Sequence, residues 1–161
     1  MITEYGNTFY AEFNDYDNLQ VDEWLTNNVI SNLLYNNTFH IPVVKKYNDD
    51  NDFYNLSFKG NTRYVKSKLI EWLSQFKSDI EIWSDCLSYD WVLFNNIFGT
   101  AFDIPKFIYY IPFDICTLFK IKGVDPDIDR LEFSELTNEN KHNALSDAIM
   151  IKKCYYKLIN M

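Results

Sequence analysis

Basic residues, cysteine, glycine and proline are all scarce in this chain of 161 residues. With 15 Lys and Arg against 23 Asp and Glu, the net charge is −8. Tight, non-specific nucleic-acid binding rests on basic patches and counterion release, and a chain with a pI of about 4.7 is poorly built for it. A nuclease is not excluded, because a two-metal site brings its own positive charge. Cys86, Cys116 and Cys154 lie far apart with no CxxC spacing. An odd count without ligand spacing points to reduced, mostly buried thiols in a cytoplasmic protein. No apolar run is long enough for a bilayer span, and MITEYGNTFY lacks the basic and apolar regions of a secretion signal. No repeat, low-complexity tract or linker breaks the chain.

What is present is enough for a core. Hydrophobic residues make up 47% of the chain and aromatic residues 18%. A single domain over residues 1–161 is expected. TFYAEF at 8–13 reads as a strand, DYDNLQ as a turn, and Val21 to Leu34 as a helix with Trp24 on its apolar stripe. Ile41-Pro42-Val43-Val44 fits a short extended piece and YNDDNDFYN a loop. Asn61 or Thr62 caps a helix from Arg63 to Phe76. IEIW at 80–83 is a strand, SDCLS a turn, and Tyr89 to Phe98 a helix ended by Gly99. FIYYI at 107–111 is a further strand, stopped by Pro112, and Asp114 caps ICTLFKI. GVDPDID reads as a loop, LEFSEL as helical, and the last helix as running from about His142 to Leu158. Alternating strands and helices indicate an α/β domain.

Three residues stand out for chemistry. Asp90 heads an apolar helix just after a strand; His142 and Asp147 lie together at the start of the last helix. Carboxylates near helix starts at the strand ends of an α/β sheet can collect divalent metals, and a histidine there can take a proton from an attacking water. Helix capping and the helix dipole explain the same aspartates without chemistry. Other residues read as structural. Asp85 is a turn residue and Asp114 a cap; DPDID lacks the Gly and distal Glu of a calcium loop, and His40 has no visible partner. Trp24, Trp72 and Trp91 sit on apolar stripes and read as core.

The surrounding words narrow the choice. HNALSDAIMIKKCYYKL resembles the third motif of the DEDDh 3′–5′ exonucleases, in which H-x4-D opens the last helix, and LSYDWVLFNNIFG resembles their second. FIYYIPFDICTLFKIKG resembles the strand and helix between them, and the resemblance covers nearly the whole chain. It is similar to the small bacterial and phage 3′–5′ exoribonuclease group with an RNase H-like fold. The resemblance implies Asp90 and Asp147 as metal ligands, His142 as general base, and Mg²⁺ or Mn²⁺ as cofactor.

The family's opening D-x-E-F strand has no counterpart. Aligning it on TFYAEF matches Glu12-Phe13 to E-F but puts Tyr10 where the aspartate belongs. TFYAEF, preceded by the turn ITEYGN, instead resembles the family's third strand. Glu12 is then a strand residue without catalytic role, and the chain is expected to be N-terminally truncated, lacking the first strand or strands of the sheet. Open edges would follow, covered by a protein partner, a homo-oligomer or a rearranged sheet. Two functions stay open. One is a degenerate exonuclease-like domain acting by binding, for example a phage-type inhibitor of a nucleic-acid-processing or defence complex. The other is an active exonuclease on RNA or single-stranded DNA, completed by Glu12 and its neighbours, a second subunit or an upstream segment.

Overall fold

The computed structural model describes residues 1–48, 51–76, 79–136 and 142–161. Two compact units divide the chain, Met1–Gln75 with Asn138–Asp147, and Phe76–Thr137 with Ala148–Met161. Among the described residues no helix is long and apolar enough to cross a membrane.

The first unit is a three-stranded sheet covered by a helix. β1 (Phe9–Phe13) pairs parallel with β3 (Asn51–Gly60), which pairs antiparallel with β2 (Ile41–Asn48). The expected loop over YNDDNDFYN is therefore largely a hairpin, with Asp49 and Asp50 outside the described residues. Its Asn and Asp content masks a period-two pattern that puts Tyr54, Leu56 and Phe58 into the core. Asn61 caps α2 (Thr62–Leu73) by accepting from Tyr64 N–H at 2.9 Å. Val65, Leu69, Trp72 and Leu73 form its buried face. Trp72 meets Phe9 at 5.6 Å and donates its indole N–H to Tyr54 O at 2.8 Å, so a large apolar ring is buried without an orphan donor.

The expected helix from Val21 to Leu34 is much shorter. Asp22 accepts from Leu25 N–H at 2.7 Å and starts α1 (Glu23–Asn28), which gives way to a 3₁₀ turn at Ile30–Asn32. Five residues after Glu23 cannot bury a full stripe, and Trp24 stays 56% exposed rather than joining the core. The ITEYGN turn is present: Gly6 has φ +87° and donates to Thr3 O at 3.1 Å.

The second unit holds a two-stranded parallel sheet, β4 (Trp83–Ser84) with β5 (Phe113–Asp114). Both strands are displaced from the sequence reading. IEIW contributes a bridge from Ile80 to Ile108 and, with its last residue Trp83, the start of β4, whereas FIYYI keeps only the Ile108 bridge, the strand forming after Pro112 instead. Prolines at 105 and 112 bracket FIYYI and limit its ladder. α3 (Leu87–Phe98) ends at Gly99, whose φ of +118° suits glycine. Trp91, expected in the core, is half-buried and stacks on Phe94. Asp114 caps α4 (Ile115–Ile121) through Cys116 and Thr117 N–H, and Asp129 caps α5 (Arg130–Ser134). Ile115, Phe119 and Phe133 pack with Cys154 and Leu158 of α6 (Ala144–Ile159).

A Cβ on Gly60 would fall 2.7 Å from Tyr64 Cδ1, and that ring is backed by buried Phe58 at 5.5 Å. Gly60→Ala is expected to cost about 1–3 kcal/mol of stability through overpacking, read as a lowered urea midpoint at unchanged m-value.

Candidate functional site

In the first unit, β1 and the start of α6 meet through hydrogen bonds. Asn143 is buried and caps α6, its Oδ1 accepting from Leu145 and Ser146 N–H at 3.1 and 3.4 Å. Its Nδ2 donates to Asn32 O at 3.1 Å and to Tyr10 Oη at 3.3 Å. Tyr10 in turn donates to Glu12 Oε1 at 2.6 Å, and Tyr35 N–H donates to the same oxygen at 2.9 Å. Burial and then the Glu12 carboxylate push the Tyr10 phenol well above its ordinary pKa, so it is a fixed donor.

Glu12 and Lys59 are cross-strand partners and both are buried. Lys59 Nζ lies 3.5 Å from Glu12 Oε2 and donates to Tyr35 O at 2.9 Å. Oε2 itself has no hydrogen-bond donor among the described residues. Glu12, the one carboxylate of β1, is thus paired with a lysine and with the Tyr10 phenol.

His142 precedes α6 rather than starting it, with a φ of +63°. That left-handed backbone costs a non-glycine residue about 1 kcal/mol and persists where the surroundings hold it. Its exposed ring meets the Trp24 indole edge-on at 5.6 Å. Asp147 lies in the first turn of α6, half-buried, with its N–H on Asn143 O at 3.0 Å. An exposed indole beside an exposed imidazole is a surface on which a nucleobase can stack. The sequence missed Trp24 because its spacing fits an apolar stripe that the short helix does not bury.

Asp90 belongs to the second unit. It is exposed in the first turn of α3 and accepts a hydrogen bond from Ser84 Oγ at the end of β4. The loop between is fixed by Asp85, which is more than a turn residue. Arg130 Nε and Nη2 donate to its two oxygens at 2.8 and 3.0 Å, and Cys116 Sγ donates at 2.9 Å. Burial alone would raise the Asp85 pKa, but the bonds from Arg130 and Cys116 prevail and hold it low. Burial and Asp85 push the Cys116 thiol up to about 11.

Two-metal phosphodiester hydrolysis needs carboxylates that share ions a few ångströms apart. Among the described residues, no group of three or more His, Cys, Asp or Glu side chains is placed to hold a metal ion. Within the first unit, Glu12 is committed to Lys59 and position 10 is a tyrosine, so β1 offers no pair of carboxylates to a metal.

Glu12→Gln or Lys59→Met alone is expected to destabilise the fold by about 3–5 kcal/mol, because each leaves a buried charge unpaired. The double variant should cost clearly less than the sum, as a double-mutant cycle in urea would read. The cysteines offer a separate check. Cys86 is exposed, whereas Cys154 is buried and Cys116 half-buried with a raised pKa, so only one of the expected buried thiols is fully so. Iodoacetamide at neutral pH should label Cys86 first in the native protein, as peptide mass mapping would show; equal labelling of Cys116 would contradict the Asp85–Arg130 arrangement.

No curated protein matches the chain. The family model of the 3′–5′ exoribonuclease Rv2179c-like domain matches residues 3–159. That span takes in TFYAEF, the Asp90 segment and the H-x4-D of His142 and Asp147, on a mixed α/β architecture consistent with an RNase H-like exonuclease fold. The chain therefore belongs to the Rv2179c-like 3′–5′ exoribonuclease domain family, of the DEDDh exonuclease type.

Proposed function

We propose that this exoribonuclease-like domain acts by binding rather than by turnover, and that it holds the 3′ end of single-stranded RNA beside His142. The observation that carries the reading is that Glu12, the one carboxylate of β1, is committed to Lys59 and Tyr10, so that β1 offers no free ligand to a metal. Trp24 supplies stacking surface at the same place. The net charge of −8 limits phosphate contacts, so affinity should be modest and only weakly dependent on salt. A phage-type inhibitor, meeting a protein through this surface, is the same reading with a different ligand.

A second reading is favoured by the edge of β1. Phe9 exchanges both backbone bonds with Met1, at 2.9 and 3.0 Å, on the side away from β3. Thr8 and Asn14 bond toward β3, so by strand alternation Ala11 and Phe13 turn their backbone groups to the same side as Phe9. Among the described residues no strand pairs with them there. A strand from a partner, a second copy or a further segment of the protein, laid against this edge, would bring new carboxylates. The domain would then be an active exonuclease, with Asp90 and Asp147 as ligands for Mg²⁺ or Mn²⁺ and His142 as general base.

A 5′-labelled single-stranded RNA separates the two. By fluorescence anisotropy in EDTA, the binding reading expects a complex that Trp24→Ala weakens about tenfold, and no shortened product when Mg²⁺ or Mn²⁺ is added. Metal-dependent 3′–5′ shortening that disappears in Asp147→Ala would overturn it in favour of the second reading.

A further inference from the structure

The first unit carries a second depression, which none of the residues around His142 lines. It lies at one end of the three-stranded sheet. β1 and β3 both finish there, at Phe13 and Gly60, and β2 begins there at Ile41. Open α/β sheets hold ligands beyond the carboxyl ends of their parallel strands, where the departing chain leaves a crevice. Phe39, His40 and Tyr64 supply its aromatic surface, and Asn14, Asp15 and Asn61 its polar groups.

The aromatic walls are held in place. Tyr64 stands over Gly60 and edge-on to Phe58, and the His40 ring meets it at 6.1 Å and 50°, which makes a corner. Phe39 is 79% exposed, yet its carbonyl is fixed by Asn14 Nδ2 at 2.8 Å. Such an exposed ring on a pinned backbone is a face without a cover.

The polar groups are oriented by the bonds they already make. Because Asn14 Nδ2 is used on Phe39 O, its Oδ1 remains as an acceptor. Because Asn61 Oδ1 takes Tyr64 N–H, its Nδ2 remains as a donor. Asp15 accepts from Thr62 N–H and Oγ1 at 2.9–3.0 Å, and its carboxylate has further lone pairs. Asn14 Oδ1 and Asp15 thus offer acceptors beside the Asn61 Nδ2 donor, and Asp15, the one acid of the lining, carries a negative formal charge. Asp15 already occupies the N-terminus of α2, so a phosphate would find that end filled by a like charge.

The geometry points to a binding site for an amino-bearing planar heterocycle, the chemical class of adenine. The ring would lie against Phe39 and the Tyr64–His40 corner. Its exocyclic amino group would donate to Asn14 Oδ1 or Asp15, and a ring nitrogen would accept from Asn61 Nδ2. This site goes beyond the reading of His142 and Trp24 and does not depend on it.

The test is a ¹H–¹⁵N titration of the full chain with adenosine and, separately, inosine, which replaces the amino group by a carbonyl. Adenosine should shift the side-chain amides of Asn14 and Asn61, with inosine at least about tenfold weaker because it leaves the acceptors unpaired. Phe39→Ala, outside the core, should weaken adenosine about tenfold while leaving the rest of the spectrum in place. Inorganic phosphate should cause no shift at these amides. No shift with millimolar adenosine, equal binding of inosine, or an unchanged Phe39→Ala would each overturn the assignment. Shifts as strong with tetramethylammonium would also overturn it, by making the site one for organic cations. RNA capture at Trp24 can fail or succeed without altering any of these outcomes.

Discussion

A buried carboxylate facing a buried ammonium cannot be left half-made, and the first unit is arranged around one such pair. Glu12 and Lys59 fix β1 against β3 directly across the ladder. Both also hold Tyr35, one through its N–H and the other through its carbonyl, and so draw the segment after α1 onto the sheet. Through Tyr10 the same carboxylate reaches Asn143 and the first turn of α6. Desolvating two charges is expensive, and only excellent geometry and shared hydrogen bonds repay it. The strand, the connection and the helix start are therefore positioned by one network. The same network leaves the Glu12 carboxylate committed to Lys59, Tyr10 and Tyr35.

Capping and termination were the parts of the fold most legible in the sequence. Asn61, Asp114 and Gly99 each act through a local hydrogen bond or a local backbone angle, so neighbouring residues suffice to reveal them. The β2–β3 hairpin was missed because polar Asn and Asp residues surround its alternating core positions. FIYYI failed for the opposite reason, since an apolar run promises a ladder that two prolines do not allow. Lys59 as the partner of Glu12 is beyond reach of the sequence, because it depends on the register of β3, whose first half reads as loop and whose second half carries no assignment.

The candidate site divides along the same line. His142 and Asp147 were found from spacing within one helix start, and the structure puts both in the first unit with Tyr10 and Glu12. Asp90 was found with them, but it is built in the second unit, where Ser84, Asp85 and Arg130 order its surroundings. Trp24 escaped notice since its exposure follows from the early end of α1, a tertiary outcome.

His142 occupies a backbone conformation that glycine or asparagine adopts at less cost. Under the proposed binding role, stability and ligand capture pull in opposite directions at this one position. Variants enriched for thermal tolerance alone would drift toward Gly or Asn there, whereas variants enriched for holding a ligand against the indole would keep the imidazole. A library randomised at a single codon would separate the residue that folds best from the residue that works best.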